Sequence, residues 1–314
     1  MHLYESIHCQ TCNISKKLKQ DHRLSCLKFI HLTTLKVTKM IKKTFFLALI
    51  LIFSYSGKAQ KLIELWRTGP VLKTPESVLY SNEHGIIFVA NMDGDASTKD
   101  GKGFISQLTP DGQIKNAEWV TGMDAPKGMA IFKGKLYVSD IDQLVEIDLK
   151  KETISNKYPV EGAIFLNDVA ASKDGRIFVS DSRNSKIYVL ENGHVTEWIS
   201  DPQMKGINGL YIESDMLYAG TEKLQRIDLK TKTITTIQDG CGGIDGLDKD
   251  GNNQFVFSNW AGRIFYLGNG KMTKMADTSS EKINTADLSY ARALNLLLVP
   301  TFFDNQVVAY QIEK

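Results

Sequence analysis

The chain has 314 residues, 42% hydrophobic and 24% charged, which excludes a disordered or membrane-embedded protein and leaves room for one large core or two ordinary ones. Its formal net charge is +2, and no basic stripe argues for nucleic acid or anionic lipid as a partner. Of four cysteines, Cys9, Cys12 and Cys26 lie in the first sixty residues and Cys241 alone beyond them, so no intrachain disulfide is expected in the main body.

Met40-Ile41-Lys42-Lys43 is a basic start, Thr44 to Tyr55 an apolar run, and Ser56 to Gln60 small and polar. This is the layout of a secretory signal peptide over residues 40–60, its apolar part too short to span a bilayer comfortably; an N-terminal membrane anchor is the alternative. A signal peptide begins a chain, so translation is expected to start at Met40, with residues 1–39 upstream of it and the product secreted or periplasmic. Those upstream residues carry Cys9-Gln10-Thr11-Cys12, Cys26 and four of the six histidines, but no second Cys pair or His-x3-His element completes a zinc site. The first sixty residues hold ten basic and two acidic side chains, so their removal turns the net charge negative.

From residue 61 to 314 one layout recurs six times. First strands begin at Pro75-Glu76-Ser77-Val78, Pro126-Lys127-Gly128-Met129, Leu166-Asn167-Asp168-Val169, Ile207-Asn208-Gly209-Leu210, Ile244-Asp245-Gly246-Leu247 and Ile283-Asn284-Thr285-Ala286. They stand about 40 residues apart, with one longer gap, a period that signals a solenoid or a propeller. Second strands follow at Ile86 to Ala90, Lys135 to Ser139, Arg176 to Ser180, Met216 to Gly220, Gln254 to Ser258 and Asn295 to Val299, across turns such as Lys133-Gly134 and Asp250-Gly251. Third strands such as Lys186 to Leu190 and fourth strands such as Glu118-Trp119-Val120 complete each copy.

Four strands per copy without helical periodicity predict an all-β, six-bladed propeller of four antiparallel strands per blade; an unrelated β-sandwich is the alternative. The sixth copy ends after its third strand, Asn305 to Ile312. Leu62 to Gly69 resembles the fourth-strand segment Glu118 to Gly122, so the N-terminal strand is expected to close the ring and leave no open sheet edge. The first copy also carries a Gly- and Asp-rich insertion, Asn91 to Gly103, which reads either as a surface loop or as a lid near a site, and which lacks EF-hand spacing.

In a propeller the first strands line a central channel and their opening residues meet at one mouth. Here these are Glu76, Lys127, Asn167, Asn208, Asp245 and Asn284. Asn or Asp before Gly ordinarily serves a turn. Two carboxylates and three amide oxygens converging together make instead the donor set of a hard divalent cation, Ca2+ first, with Zn2+, Mn2+ or Mg2+ as alternatives.

The six copies, with Pro75-Glu76, Leu166-Asn167-Asp168, Ile207-Asn208-Gly209-Leu210 and Ile244-Asp245-Gly246-Leu247, resemble the regucalcin, gluconolactonase and luciferin-regenerating enzyme family over roughly Leu62 to Lys314. The resemblance implies one divalent metal at the mouth, held by Glu76, Asn208 and Asp245, and hydrolysis of a sugar lactone or similar cyclic ester. It implies a carbonyl polarised by the metal, Asp245 as both ligand and base, and Asn167 toward the substrate. Two departures stand out. Glu76 is followed by Ser77-Val78 in place of Gly-Pro, and Phe165 stands where some sugar lactonases place an Arg, which weakens the case for a polar sugar acid. Lys127 either supplies that cation or is structural.

Other chemistries find little support. His84 and His194 lie in predicted turns, which leaves no Ser-His-Asp triad; Cys241 reads as a small buried hydrophobe; no phosphate-binding Gly-x4-Gly-Lys loop occurs. The expectation is a monomeric lactonase-type hydrolase acting on a small molecule, without nucleic acid or, once the leader is gone, membrane. The alternative is a non-catalytic propeller that binds a ligand or partner protein at its mouth.

Overall fold

Short β-branched and aromatic runs punctuated by Gly, Asn and Asp become strands throughout the computed structural model, which describes residues 60–313 together with Arg23, Ser25 and His31. The chain divides into two units, Met1–Lys58 and Ala59–Lys314. In the first, the three described residues are helical. The expected upstream segment and leader otherwise lie outside the described residues. No described helix is long and apolar enough to cross a membrane.

In the second unit, six four-stranded antiparallel sheets follow one another. Blade one is Pro75–Ser81, Ile86–Asn91, Gly103–Leu108 and Ile114–Met123; blade two is Pro126–Phe132, Lys135–Asp140, Gln143–Asp148 and Thr153–Pro159. Blade three is Leu166–Ala171, Ile177–Asp181, Lys186–Glu191 and His194–Ser200; blade four is Leu210–Glu213, Met216–Gly220, Leu224–Asp228 and Ile234–Gln238. Blade five is Leu247–Lys249, Phe255–Asn259, Arg263–Gly268 and Lys271–Asp277. Blade six takes Ser289–Ala291, Leu296–Pro300 and Val307–Glu313 and borrows Lys61–Arg67 as its outermost strand. The chain is an all-β six-bladed propeller closed by its N-terminal strand, as its repeats predict. His194 opens a strand rather than lying in a turn, while His84 does lie in one.

Burial explains the radial order of each blade. A second strand such as Ile86–Asn91 is buried at every position, because both its faces meet neighbouring blades. Outermost strands such as Thr153–Pro159 are largely exposed and polar. The apolar side chains pool between blades: Phe88, Ile105 and Trp119 of blade one with Leu136, Val138 and Val145 of blade two, and Leu166 and Ile177 of blade three with Leu144 of blade two. At the seam, Val78, Ile87 and Val89 pack against Leu296, Leu298 and Val307. Each fully buried Val, Leu or Ile contributes about 1.5–3 kcal/mol.

Closure is written in the register of the last sheet. Lys61 pairs with Glu313, Leu62 with Ile312 and Arg67 with Val308, across a bulge between Glu64 and Trp66. Thr68 finishes the seam, its N–H donating to the Val307 carbonyl and its hydroxyl accepting from the Val307 N–H, both at 3.0 Å.

Candidate functional site

Paired hydrogen bonds set each mouth residue at the head of its inner strand. Asn208 N–H donates to Gly220 O (2.9 Å), Asp245 N–H to Ser258 O (2.8 Å) and Ala286 N–H to Pro300 O (3.1 Å). A serine at the end of a second strand reaches the next blade in the same way, Ser139 Oγ donating to Asn167 O and Ser258 Oγ to Ala286 O. These equivalences put Ala286, not Asn284, in line with Glu76, Lys127, Asn167, Asn208 and Asp245.

The sixth copy expected at Ile283-Asn284-Thr285-Ala286 is therefore shifted by two residues. Register follows the buried apolar position rather than the polar one, and Leu288 is the buried counterpart of Val78, Met129, Val169, Leu210 and Leu247. Aligning on Leu288 would have revealed it. Asn284 goes elsewhere, its side-chain amide donating to the Trp260 carbonyl at 2.8 Å.

In blades two, three and five the loop before the mouth is tied by the polar residue that ends the second strand. Asp140 accepts from the N–H groups of Asp124 (3.1 Å) and Ala125 (2.7 Å), and Asp181 from those of Ile164 (2.8 Å) and Phe165 (3.1 Å). Asn259 donates to Cys241 O and Gly243 O. The glycines after the mouth residues are not turn residues here but allow inner strands to approach. A Cβ on Gly128 would lie 2.4 Å from Asp168 Cα, and one on Gly246 2.0 Å from Leu288 N.

A cavity of about 310 Å³ occupies the mouth. Glu76, Lys127, Asn167, Asn208 and Asp245 supply its polar lining, and Met92, Ala96, Phe165, Trp260 and Phe302 its apolar lining. Asn284 is not among them. Five residues expected from the sequence as a polar set thus share one cavity with Phe165, while Met92, Ala96, Trp260 and Phe302 escaped a reading that followed polar residues only.

Burial dominates the electrostatics of this cavity. Desolvation, and then the neighbouring Asp245 and Asp287, hold the Glu76 carboxyl well above the usual range, with Lys127 opposing. Burial pushes Asp245 up to about 7 against a hydrogen bond from Asn208 Nδ2 to its Oδ1 at 2.6 Å. Beneath them Asp168 and Asp287 are also raised by burial. Asp168 accepts from the N–H groups of Val169 (2.6 Å) and Leu210 (2.5 Å), and Asp287 from Ser77 Oγ at 2.6 Å. Both also line a second cavity, about 230 Å³, with Asp248. Asp168 and Asp287 were not singled out in the sequence because neither opens its copy.

Glu76 Oε2 and Asn208 Oδ1 are buried and have no hydrogen-bond partner. Such oxygens are costly unless something occupies them. With Asp245 they form two carboxylates and an amide oxygen on one cavity, a donor set that fits a hard divalent cation. Among the described residues no three of His, Cys, Asp and Glu gather as a metal site, so the fit depends on the amide oxygen.

The remaining candidates have definite places. Lys127 is fully buried, donates to Ala125 O at 3.0 Å and lies 4.6 Å over the Phe165 ring; burial lowers its pKa while Glu76 and Asp140 oppose that. Arg183 sits 4.2 Å from the same ring, so cations do reach Phe165 although it carries none. Asn167 Nδ2 donates to Ser182 Oγ at 3.1 Å. Burial pushes the Cys241 thiol up to about 11, as befits a core residue. The blade-one insertion is pinned to blade two by Lys99–Asp142 (2.6 Å) and by Gly101 N–H to Asp124 Oδ1 (2.9 Å), and its Ala96 lines the mouth.

No protein-family model matches the sequence, and no curated protein matches it. Among solved structures the chain is similar to a streptogramin B lyase, at 14% identity over 81% of this chain and 97% of that one, with a TM-score of 0.59. It is similar to a catalytically inactive virginiamycin B lyase from Staphylococcus aureus with quinupristin, at 17% identity over 81% and 100%, TM-score 0.57. The WD40 β-propeller domain of Doa1 matches at 12% identity over 76% and 78%, TM-score 0.57. This chain is a six-bladed propeller structurally similar to the virginiamycin B lyases. At such identities the likeness carries the fold, and the chemistry has to come from the cavity.

Proposed function

We propose that this propeller is a metal-dependent hydrolase of lactones or related cyclic esters, with Glu76, Asn208 and Asp245 holding one divalent cation, Ca2+ before Zn2+, Mn2+ or Mg2+. The observation that carries the reading is the pair of unpartnered buried oxygens, Glu76 Oε2 and Asn208 Oδ1, beside Asp245. When bound, a divalent cation would polarise an ester carbonyl and favour ionised carboxylates. Asp245, which such a cation would hold ionised, acts as general base toward water. Asn208 fixes the orientation of its carboxyl through the 2.6 Å hydrogen bond. Asn167 and Lys127 face the same cavity and orient the polar end of the substrate. The lyases named above support an enzyme on this frame without naming its reaction. Residues 40–60, read as a signal peptide, support an activity outside the cytoplasm, and we propose that the chain works as a monomer.

A second reading has its own observation. Lys127 is a resident buried cation facing Glu76, so the mouth could bind a ligand without metal or turnover. Elemental analysis of protein purified at neutral pH without chelator separates the two. One divalent ion per chain is expected, lost in Asp245→Ala and Glu76→Ala, with turnover of a panel of aldonolactones, acyl lactones and aryl esters falling about 100-fold or more. Absence of any ion would sink the metal reading; a retained ion with no turnover on any ester would favour the binding propeller.

A further inference from the structure

The polar lining of the mouth is buried, while its rim is aromatic. Trp260, 47% exposed, and Phe303, 63% exposed, flank the buried Phe302. The three rings meet edge to face, with centroids 5.6 Å apart for Trp260 and Phe302, 6.1 Å for Trp260 and Phe303, and 4.7 Å for Phe302 and Phe303. Large exposed aromatics are not needed to stabilise a surface turn.

Their placement is enforced by the backbone. Asn284 holds the Trp260 carbonyl. Phe302 has φ 53, a left-handed conformation that is uncommon for a bulky residue and persists only when its surroundings fix it. Here Thr301 Oγ1 donates to Gln306 O at 3.0 Å and Asn305 N–H to Phe302 O at 3.0 Å. Phe302 also packs in a cluster with Met92 and Ala286, joined by Ala96 of the insertion. Ala286, at the sixth mouth position, thus packs behind Met92 and Phe302 of the cavity lining and adds no polar group.

We infer that the substrate carries an aromatic or short apolar group that lies against Trp260, Phe302 and Phe303 while its cyclic ester faces Glu76, Asn208 and Asp245; this rests on the hydrolase reading of that polar set. Sugar hydroxyls would meet an apolar wall there and lose water without gaining partners. A cavity of about 310 Å³ is at the small end of ligand pockets and suits a five- or six-membered ring with one such group.

The test uses two independent readouts on the full chain, loaded with Ca2+. A titration of tryptophan fluorescence with a non-hydrolysable aryl-substituted δ-lactam is expected to change the emission and to give binding about tenfold tighter than that of the unsubstituted lactam. Trp260→Ala, and separately Phe303→Ser at a position too exposed to threaten folding, weaken aryl-lactam binding by isothermal calorimetry about tenfold. Turnover of aryl-substituted lactones is expected to exceed that of aldonolactones of the same ring size in kcat/KM, and the preference to collapse in Trp260→Ala. Aryl-lactam binding that depends on Trp260, with no lactone turned over, supports the aromatic subsite and defeats hydrolysis. Lactone turnover with equal preference for aldonolactones, or aryl-lactam affinity unchanged in both variants, overturns the subsite and leaves hydrolysis standing.

Discussion

Glu76, Asp168, Asp245 and Asp287 are buried around one channel, and desolvation is the first cause of the raised pKa of each. A carboxyl raised in the folded state binds a proton that the unfolded chain releases. Its contribution to stability is full below the ordinary carboxylate pKa, about 4, and is lost as pH rises through the folded value, about 7 for Asp245. Metal-free protein should therefore lose Tm between pH 5 and pH 8, and Ca2+ should restore it at pH 8 because the cation replaces the protons. Calorimetric binding in buffers of different ionisation enthalpy should show proton release at neutral pH. Glu76→Gln should flatten the metal-free slope and abolish the Ca2+ response; a wild-type Tm independent of pH and of Ca2+ would refute this linkage. The polar lining of the mouth cavity was legible in the sequence, since Glu76, Asn208 and Asp245 stand at one repeat position. Trp260 and Phe302 were not, because Trp260 lies in a turn and Phe302 in a short 3-10 helix between strands, and their approach to the mouth depends on how neighbouring blades pack.

Individual strands were legible from their β-branched runs and turn residues, but register was not always. In blade six the eye aligns Asn284 with its siblings, whereas burial of Leu288 decides the register and brings Ala286 to the mouth. Inner strands of blades four to six also begin later than expected, at Leu210, Leu247 and Ser289, although Asn208, Asp245 and Ala286 before them still hydrogen-bond to the second strands. Close approach between these inner strands is the more demanding constraint. In Gly246→Ala the new methyl would meet Leu288 N at 2.0 Å, with the backbone of Asp287 behind it. Backbone must move, so the variant should be roughly 1–3 kcal/mol less stable in urea denaturation, the range for overpacking. Because Gly246 follows Asp245, the proposed affinity for a divalent cation should fall as well. Unchanged midpoint and affinity would mean that the inner strands are more loosely packed than their geometry indicates.

At the scale of the ring, stability depends on a strand that is far in sequence from its partners. Lys61–Arg67 pairs with Val307–Glu313, and its Leu62 packs with Ile312 and Tyr310 against the core between blades five and six. The Glu64–Arg67 ion pair on the same strand is exposed and contributes little. Hydrogen bonding and apolar contact therefore carry the closure. A chain beginning after Thr68 keeps three strands of blade six but exposes the whole edge of Val307–Glu313, an invitation to pair with another copy. That truncated protein should denature at lower urea concentration than the intact one and form dimers or larger species by light scattering. A peptide spanning residues 60–69 added in trans should bind the vacant edge by strand addition and restore both the midpoint and the monomer. If truncation left the midpoint unchanged, the ring would be held by the packing between blades alone, and the N-terminal strand would be an ornament on a propeller already closed by blades one and six.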